Sequence, residues 1–337
     1  MSEVVLQTMP LDVQWPTLDP FLFCVHHLDY YPEANADFGP ARSLAGRDIG
    51  QDFAGIDGWR MYHGQHVPGF PQHPHRGFET VTFARQGLID HSDSLGAAAR
   101  FGRGDVQWLT AGSGIVHSEM FPLLNSDGPN TAELFQIWLN LPSANKMAAP
   151  HFTMLWDANI PRVRHLDDSE LLTLVTVIAG AFPGVTPPAP PPDSWASVAN
   201  ADVAIWHIDM QPGAHFTLPA AESDRTNRVL YVFEGAGVTI AGTEVENFTA
   251  AVLVSDQSVE LVATAHTECL VLQGRPIAEP VARYGPFVMN TDAEIRQAFE
   301  DYRSTQFGGW PWPTDGPVHG PDGSRFARLP NGETETP

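Results

Sequence analysis

Two short stretches of the chain carry histidine and carboxylate side chains at alternate positions. The first reads GFPQHPHRGFETVTF and contains His73, His75 and Glu79. The second reads GDVQWLTAGSGIVHSEM and contains His117 and Glu119. Because side chains two residues apart on a β-strand share a face, each stretch can direct its imidazoles and a carboxylate into one cavity. Two adjacent antiparallel strands of this kind would bring three imidazoles and one carboxylate to a single point.

Such a donor set is typical of a site for one divalent transition metal. Imidazole keeps the metal accessible at neutral pH, and a carboxylate offsets part of the metal charge. With open coordination positions the set favours Fe(II), while Mn, Co, Ni, Cu and Zn remain chemical competitors. The spacing leaves open whether Glu79 or Glu119 is the carboxylate ligand.

The elements that carry these residues are predicted to be β-strands. Short runs of β-branched and aromatic residues, such as ETVTFARQ, LFQIWLNL and NRVLYVFEG, recur between Gly, Pro, Asp and Asn residues. This pattern is typical of an all-β sandwich or barrel. One helix is predicted near Asn290, where Asn290 or Thr291 can cap the first turn. Its apolar face would consist of Ile295, Ala298 and Phe299.

The length of 337 residues exceeds that of a typical domain, so the chain is expected to form two compact units. A weak internal repeat indicates two copies of one barrel: FARQG and YVFEG each end a strand at a glycine turn. We predict an N-terminal metal-binding barrel over residues 1–150 and a C-terminal barrel over residues 151–290. Residues 291–337 would form a C-terminal helix and a Gly/Pro-rich tail.

The second barrel offers no equivalent set of ligands. When its glycine turn is aligned with that of the first barrel, Ala221 and Ser223 take the places of the two alternate histidines. Val259 falls near the position of the third histidine. His215 and His266 are out of register, so the C-terminal barrel is predicted to lack a metal and to be structural or regulatory.

Charge and composition exclude several classes of function. The chain has 18 basic and 40 acidic residues, a net charge of −22, and no cluster of Lys or Arg, which argues against direct nucleic-acid binding. No run of about 18 apolar residues predicts a membrane span. Cys24 and Cys269 are too few and too far apart for a disulfide framework or a CxxC motif, and the first residues lack a secretory pattern. We therefore expect a soluble, cytoplasmic protein that binds small molecules or basic protein surfaces.

Three segments resemble the pirin family of bicupin proteins: HPHRGFETVT, GDVQWLTAGSGIVHSEM and EPVARYGPFVMNTDAEIRQAFEDYR. The resemblance covers most of the chain, from about Leu18 to Tyr302. It implies two cupin (jelly-roll) barrels stacked face to face, with one mononuclear metal in the N-terminal barrel. In pirins the ligands are both histidines of HPH and the His and Glu of HSE. Here these positions are His73, His75, His117 and Glu119. The resemblance thus favours Glu119 over Glu79, which we expect to orient an imidazole instead.

The same resemblance implies an activity. Pirins resemble flavonol dioxygenases of the quercetinase type, which would cleave a small aromatic substrate with O₂ and release carbon monoxide. In that reaction Glu119 is the candidate base as well as a ligand. Pirins are also known as non-enzymatic, redox-sensing regulators that bind a protein partner, including transcription cofactors, and another cupin reaction with a different metal is a third alternative. We favour the dioxygenase.

Two further features lie close to the predicted site in sequence. His91 and Asp93 can line the cavity mouth, but a polar turn in which Asp93 binds backbone amides is the favoured interpretation. The segment from Tyr31 to His66 is longer than in the pirin pattern. We expect a surface loop there, with a lid over the metal as the alternative.

Overall fold

The chain folds almost entirely into β-strands, as its sequence predicts. The computed structural model describes residues 4–337, which form 24 β-strands and one α-helix. The strands are β1 (Val5–Pro10), β2 (Phe21–Tyr31), β3 (Gly69–His75), β4 (Phe78–Gln86), β5 (Leu88–Asp93), β6 (Ala98–Gly102), β7 (Val106–Thr110), β8 (Ile115–Met120), β9 (Asn130–Asn140), β10 (His151–Leu155), β11 (Arg162–Leu166), β12 (Leu172–Ala179), β13 (Ala204–Met210), β14 (His215–Leu218), β15 (Asn227–Glu234), β16 (Val238–Ile240), β17 (Thr243–Val245), β18 (Thr249–Leu253), β19 (Val259–Ala263), β20 (Thr267–Gly274), β21 (Ala282–Tyr284), β22 (Phe287–Met289), β23 (Phe326–Arg328) and β24 (Thr334–Glu335). The helix is α1 (Asp292–Thr305), and short 3-10 helices lie at Ile56–Gly58, Asp157–Asn159, Trp195–Ser197 and Gln306–Gly308.

Contacts group the chain into two compact units that are discontinuous in sequence. The first unit contains the chain up to Val25, the stretch Ile137–Asn140 and the stretch Ala158–Ala278. The second contains His26–Gln136, Leu141–Asp157 and Glu279–Pro337. The consecutive limits expected at residues 150 and 290 stay a prediction.

The first unit is built from a seven-stranded and a four-stranded antiparallel sheet. The strand orders are β1-β18-β15-β20-β13-β12-β11 and β14-β19-β16-β17. Alternate residues of both sheets are buried in one apolar cluster, because successive side chains of a strand point to opposite faces. The cluster includes Val175, Trp206, Leu230 and Val271 from the larger sheet and Phe216, Leu218, Val259 and Leu261 from the smaller one.

The second unit carries the predicted metal ligands. It contains the six-stranded sheet with the order β24-β23-β6-β5-β8-β3, in which β8 lies between β5 and β3. It also contains most of the five-stranded sheet with the order β10-β7-β4-β9-β2, in which β9 up to Gln136 and β2 from His26 belong to this unit. Residues from both sheets again form one buried cluster, which includes Leu109, Leu134, Phe152, Ile89, Phe101 and Ile115. β8 therefore lies inside this sheet and β3 forms its edge, so the predicted ligands lie on paired strands rather than on loops.

The C-terminal helix confirms the sequence prediction and identifies its cap. Thr291, not Asn290, is the N-cap, and its side chain and that of Glu294 bind each other's backbone amides in a capping box. Ile295 and Ala298 are buried, and Phe299 packs partly buried beside them.

The Gly/Pro-rich tail beyond the helix joins the same unit. β23 pairs with β6 and β24 pairs with β23, which extends the six-stranded sheet. No helix within residues 4–337 has the length and apolar character that crossing a bilayer requires.

Candidate metal centre

The two ligand strands lie next to each other and run antiparallel. In the pairing of β3 with β8, the Cα atom of His73 faces that of His117, and a register shift separates Phe70 from His73. Directly paired residues of antiparallel strands point to the same face, so these two imidazoles meet. The expected adjacency of the two strands is confirmed.

Three histidines converge on one point. One ring nitrogen each of His73, His75 and His117 lies within 4.8 Å of the other two. Ring centroids are 4.4 Å apart for His73 and His117, and 5.0 Å apart for His75 and His117. This spacing allows one metal ion to contact all three imidazoles.

Hydrogen bonds set the orientation of two of these rings. The Nδ1 atom of His73 lies 2.9 Å from the carbonyl oxygen of Pro71, and that of His75 lies 3.4 Å from the carbonyl oxygen of Pro286. Because a carbonyl can only accept, Nδ1 carries the proton and donates, and the Nε2 lone pair of each ring is directed elsewhere. This is the tautomer that a metal-binding imidazole needs.

His117 differs from the other two because both of its ring nitrogens are buried and have no hydrogen-bond partner among residues 4–337. A buried polar atom without a partner is costly, and such an atom in a native protein indicates a missing ligand, water or ion. The three rings are also held neutral. Burial lowers the pKa of His73 to about 4 and lowers the pKa values of His75 and His117 well below their usual range.

The carboxylate of Glu119 lies outside this cluster of three ligand atoms. Glu119 is buried, and its two oxygens accept hydrogen bonds from Thr82 Oγ1 at 3.1 Å and Gln136 Nε2 at 3.0 Å. Burial raises the pKa of Glu119, while these two donors act in the opposite direction. The side chain is therefore a held carboxyl group next to the histidines, and its role as a ligand stays a prediction.

Glu79 is placed differently. It accepts a hydrogen bond from Thr110 Oγ1 at 2.7 Å. Two even-numbered residues of β4 face the histidine cluster. Thr82 contacts Glu119, and the ring of Phe78 lies 5.0 Å from that of His75. Odd and even positions of a strand face opposite sides, so Glu79 points away from the face that meets the histidines. This geometry favours Glu119 as the carboxyl group of the centre.

Comparison with known proteins agrees with this architecture. The Pirin family profile matches residues 14–139, and the profile for the Pirin C-terminal cupin domain matches residues 205–308. The chain belongs to the pirin family. Its two barrels are thus the N-terminal and C-terminal cupin domains of a pirin, which confirms the predicted bicupin fold class.

Similar proteins carry two kinds of name. A protein of Pseudomonas aeruginosa named "Putative quercetin 2,3-dioxygenase" is 39% identical over 241 residues. The aligned region covers 71% of this chain and 79% of that protein. A tomato (Solanum lycopersicum) "Pirin-like protein" is 37% identical, covering 70% and 75%. The crystal structure of a quercetin 2,3-dioxygenase from Acinetobacter baumannii, 28% identical, superposes with a TM-score of 0.71 over 91% of this chain and 98% of its own.

Within this pirin fold, a His-x-Asp pair on β5 borders the centre, next to the His-x-Glu pair of β8. In the pairing of β5 with β8, His91 faces Glu119 and Asp93 faces His117. His91 is fully buried, its ring centroid lies 5.6 Å from that of His117, and its Nε2 atom lies 3.1 Å from Asp93 Oδ2. Asp93 also accepts from the amides of Leu95 and Ala97, as the favoured turn interpretation required. The polar-turn interpretation did not use the repeated spacing, HSD against HSE, which is the sequence signal by which this pair can be found.

The segment from Tyr31 to His66 is not a plain surface loop. Trp59 and Tyr62 are buried in the core of the second unit. The ring of Tyr62 lies 4.9 Å from that of Phe70, which in turn lies 6.3 Å from that of His73. The long segment therefore packs against β3, the strand that carries His73 and His75.

The two out-of-register histidines of the other unit, His215 and His266, lie on its surface. His215 pairs with Glu260 and His266 with Asp209, with more than half of each imidazole side chain exposed. Both histidines are therefore placed to be solvated surface residues, in contrast to the buried cluster.

Proposed function

We propose that this chain is a metal-dependent dioxygenase that cleaves a flavonol-type aromatic ring with O₂ and releases carbon monoxide. The observation that carries the proposal is His117, whose two buried ring nitrogens have no hydrogen-bond partner, in the middle of a group of neutral imidazoles. A resident metal ion would satisfy this group.

The residues present fit a divalent first-row transition metal. We propose His73, His75 and His117 as nitrogen ligands and Glu119 as the oxygen ligand. Imidazoles with a carboxylate suit Fe(II), which we favour over Mn, Co, Ni, Cu and Zn. Since all three rings are neutral at pH 7, the site needs no proton release from its histidines before it binds the ion.

When bound, such a metal supplies Lewis-acid polarisation of a substrate oxygen and a place for dioxygen to react. The chain supplies the base. Glu119, with its pKa raised by burial, accepts the proton of the substrate hydroxyl on a carboxylate oxygen. Thr82 and Gln136 hold that carboxyl group in place through their hydrogen bonds, and Phe78 shields His75 from water.

Similarity supports the choice of substrate class. Two relatives that are 39% and 36% identical to this chain over 241 aligned residues carry the name "Putative quercetin 2,3-dioxygenase". A solved structure with the same name is 28% identical over nearly the full chain. We propose that the present chain shares their class of small aromatic substrate.

The test is turnover of quercetin by protein purified without oxygen and loaded with one metal at a time. We expect Fe(II)-loaded protein to consume one O₂ and release one CO for each quercetin, and His117→Ala to lose metal and activity. His266→Ala, which removes an exposed histidine of the other unit, is the matched control and should retain both.

A lack of turnover with every first-row metal would refute the dioxygenase. If the protein then captured a basic partner protein in only one redox state of the metal, the regulatory alternative would replace it, in keeping with the net charge of −22. We also propose a cytoplasmic location, because Cys24 and Cys269 are both buried free thiols.

A further inference from the structure

The C-terminal hairpin and helix pack directly against the strands that carry the metal ligands. We call residues 282–308, which comprise β21, β22, α1 and the turn after α1, the C-terminal segment. It contributes no ligand candidate, and the proposed reaction assigns it no role. Yet it belongs to the same compact unit as the three histidines, although more than 160 residues of chain separate it from His117.

Backbone contacts fix the segment to the end of the first ligand strand. The amide of Val288 donates to the carbonyl of Arg76 at 3.0 Å. The buried ammonium group of Lys146 donates to the carbonyls of Gly77, at 2.9 Å, and Val288, at 3.2 Å. Gly77 has a positive φ of 86° and no room for a Cβ atom, which would collide with the Val288 carbonyl. The segment therefore approaches this turn as closely as backbone allows.

One contact reaches a ligand itself. His75 directs its Nδ1 atom toward the carbonyl oxygen of Pro286, at the tip of the hairpin. The two atoms lie 3.4 Å apart. This distance is long for a hydrogen bond, but the carbonyl still selects the tautomer that presents Nε2. A partner of this kind on the far side of a ligating imidazole orients the ring and tunes its basicity.

Arg76 connects the segment to both ligand strands. Its Nε atom donates to the carbonyl of Ser113, in the turn before β8, at 2.7 Å. Its Nη1 atom donates to Asp301 Oδ2 on α1, also at 2.7 Å, and its guanidinium lies over the ring of Phe307, 4.5 Å from the centroid. Because Arg76 is buried, loss of Asp301 would leave a poorly compensated charge beside His75.

Apolar packing reaches the second ligand strand as well. Val116, the neighbour of His117, is buried in a cluster with Phe287, Ile295 and Phe307. A Cβ atom on Gly114 would lie 2.6 Å from the Phe307 ring, so the ring sits directly on the turn that leads into β8. Both strands of the centre thus rest on the same C-terminal surface.

We propose that the C-terminal segment is a positioning part of the metal centre, so that metal binding and docking of this segment stabilise each other. The proposal rests on the metal site proposed above. If the docked segment holds the histidines in their ligating geometry, the ion binds the docked form more tightly than the undocked form. Thermodynamic linkage then requires that the ion stabilise docking by the same factor.

The experiment uses the full chain with Co²⁺ as the probe, because its visible absorption reports ligand geometry. Asp301→Asn removes the charge that pairs with Arg76, and Glu300→Gln removes the same charge from an exposed neighbouring position of α1. We expect Asp301→Asn to weaken Co²⁺ binding about tenfold or more and to alter the absorption spectrum of the bound ion. Glu300→Gln should bind within about twofold of the wild type and give an unchanged spectrum.

Hydrogen exchange of the wild-type protein is an independent measurement that needs no variant. Saturation with Co²⁺ should slow exchange of the α1 and β22 amides about tenfold or more, whereas the surface strands β16 and β17 of the other unit should not respond.

The outcomes separate the two proposals. If the wild type binds Co²⁺ but exchange in α1 is unaffected and both variants bind equally well, the coupling is wrong and the metal site stands. If Asp301→Asn lowers thermal stability but leaves affinity and spectrum unchanged, the salt bridge is only structural and the coupling is again wrong. If the wild type binds no first-row metal ion, the metal site and the coupling fail together.

Discussion

At the scale of single residues, the two glutamates near the histidines differ in the direction of their side chains. Only one of them points to the face that meets the histidines. Glu119 is held by Thr82 and Gln136 on the face that meets the histidines, whereas Glu79 is held by Thr110 on the other face of β4. Both are buried, so burial by itself does not distinguish the surroundings of the two carboxyl groups. Their hydrogen-bond partners and the strand register do.

Replacement of each glutamate by glutamine tests this assignment. We expect Glu119→Gln to lower quercetin turnover at least about a hundredfold, because it removes the base, and to weaken metal binding about tenfold or more. Glu79→Gln should leave the metal content unchanged. Turnover by CO release and metal content by elemental analysis give the answer. Metal loss in Glu79→Gln together with full metal retention in Glu119→Gln would reverse the two roles.

At the scale of elements, a buried lysine joins two parts of the metal-binding unit. Lys146 lies in the loop before β10 and bridges the turn after β3 and the strand β22 through two carbonyls. Burial lowers the pKa of Lys146 to about 8, although Glu279 and Glu294 act in the opposite direction. The cross-link is therefore made by an ammonium group whose charge is costly in this place.

The stability contribution of Lys146 should depend on pH. Between pH 8 and the ordinary pKa of 10.5, the unfolded chain keeps this proton while the folded chain has released it. The folded state therefore gains relative stability as pH rises through this window. We expect the free energy of unfolding of the wild type, relative to that of Lys146→Met, to rise by about 2 kcal/mol from pH 7 to pH 10. Urea unfolding at the two pH values measures it, and a constant difference would contradict the prediction.

At the scale of the whole molecule, segments distant in sequence complete each compact unit. β1, at the start of the chain, pairs with β18 in the first unit. The C-terminal residues from Glu279 onward belong to the second unit, with the three converging histidines. When neighbouring strands of a sheet lie far apart in the sequence, as β1 and β18 do, the sheet depends on contacts of high sequence separation.

A fragment of residues 1–150, which contains all four proposed ligands, should therefore fail to form the centre. It lacks the strand β10, the C-terminal segment and the tail strand that pairs with β6. We expect no cooperative thermal unfolding and no stoichiometric Co²⁺ binding, as measured by calorimetry and by titration of the visible absorption. A folded, metal-binding fragment would show instead that the N-terminal part is an autonomous domain.

Much of this protein follows from local features of the sequence. Short runs of β-branched and aromatic residues between turn residues predicted the strands, and a capping residue at Asn290 or Thr291 before a helical apolar face predicted the start of α1. The alternate histidines on two strands indicated the three converging imidazoles, because the two-residue repeat of a strand fixes which side chains share a face.

Other features depended on contacts that no local pattern encodes. Whether a strand turns its odd or even residues to the histidines is decided by what packs against it. The residue spacing therefore left the choice between Glu79 and Glu119 open, the pirin resemblance favoured Glu119, and the fold directs Glu79 to the other face of its strand. His91 and Tyr62 were predicted as loop residues and are buried because distant strands cover them. The sequence by itself determined the strand content and the two strand segments whose histidines converge. Tertiary structure decided which faces meet and which distant segments support them, because burial and long-range pairing depend on the whole chain.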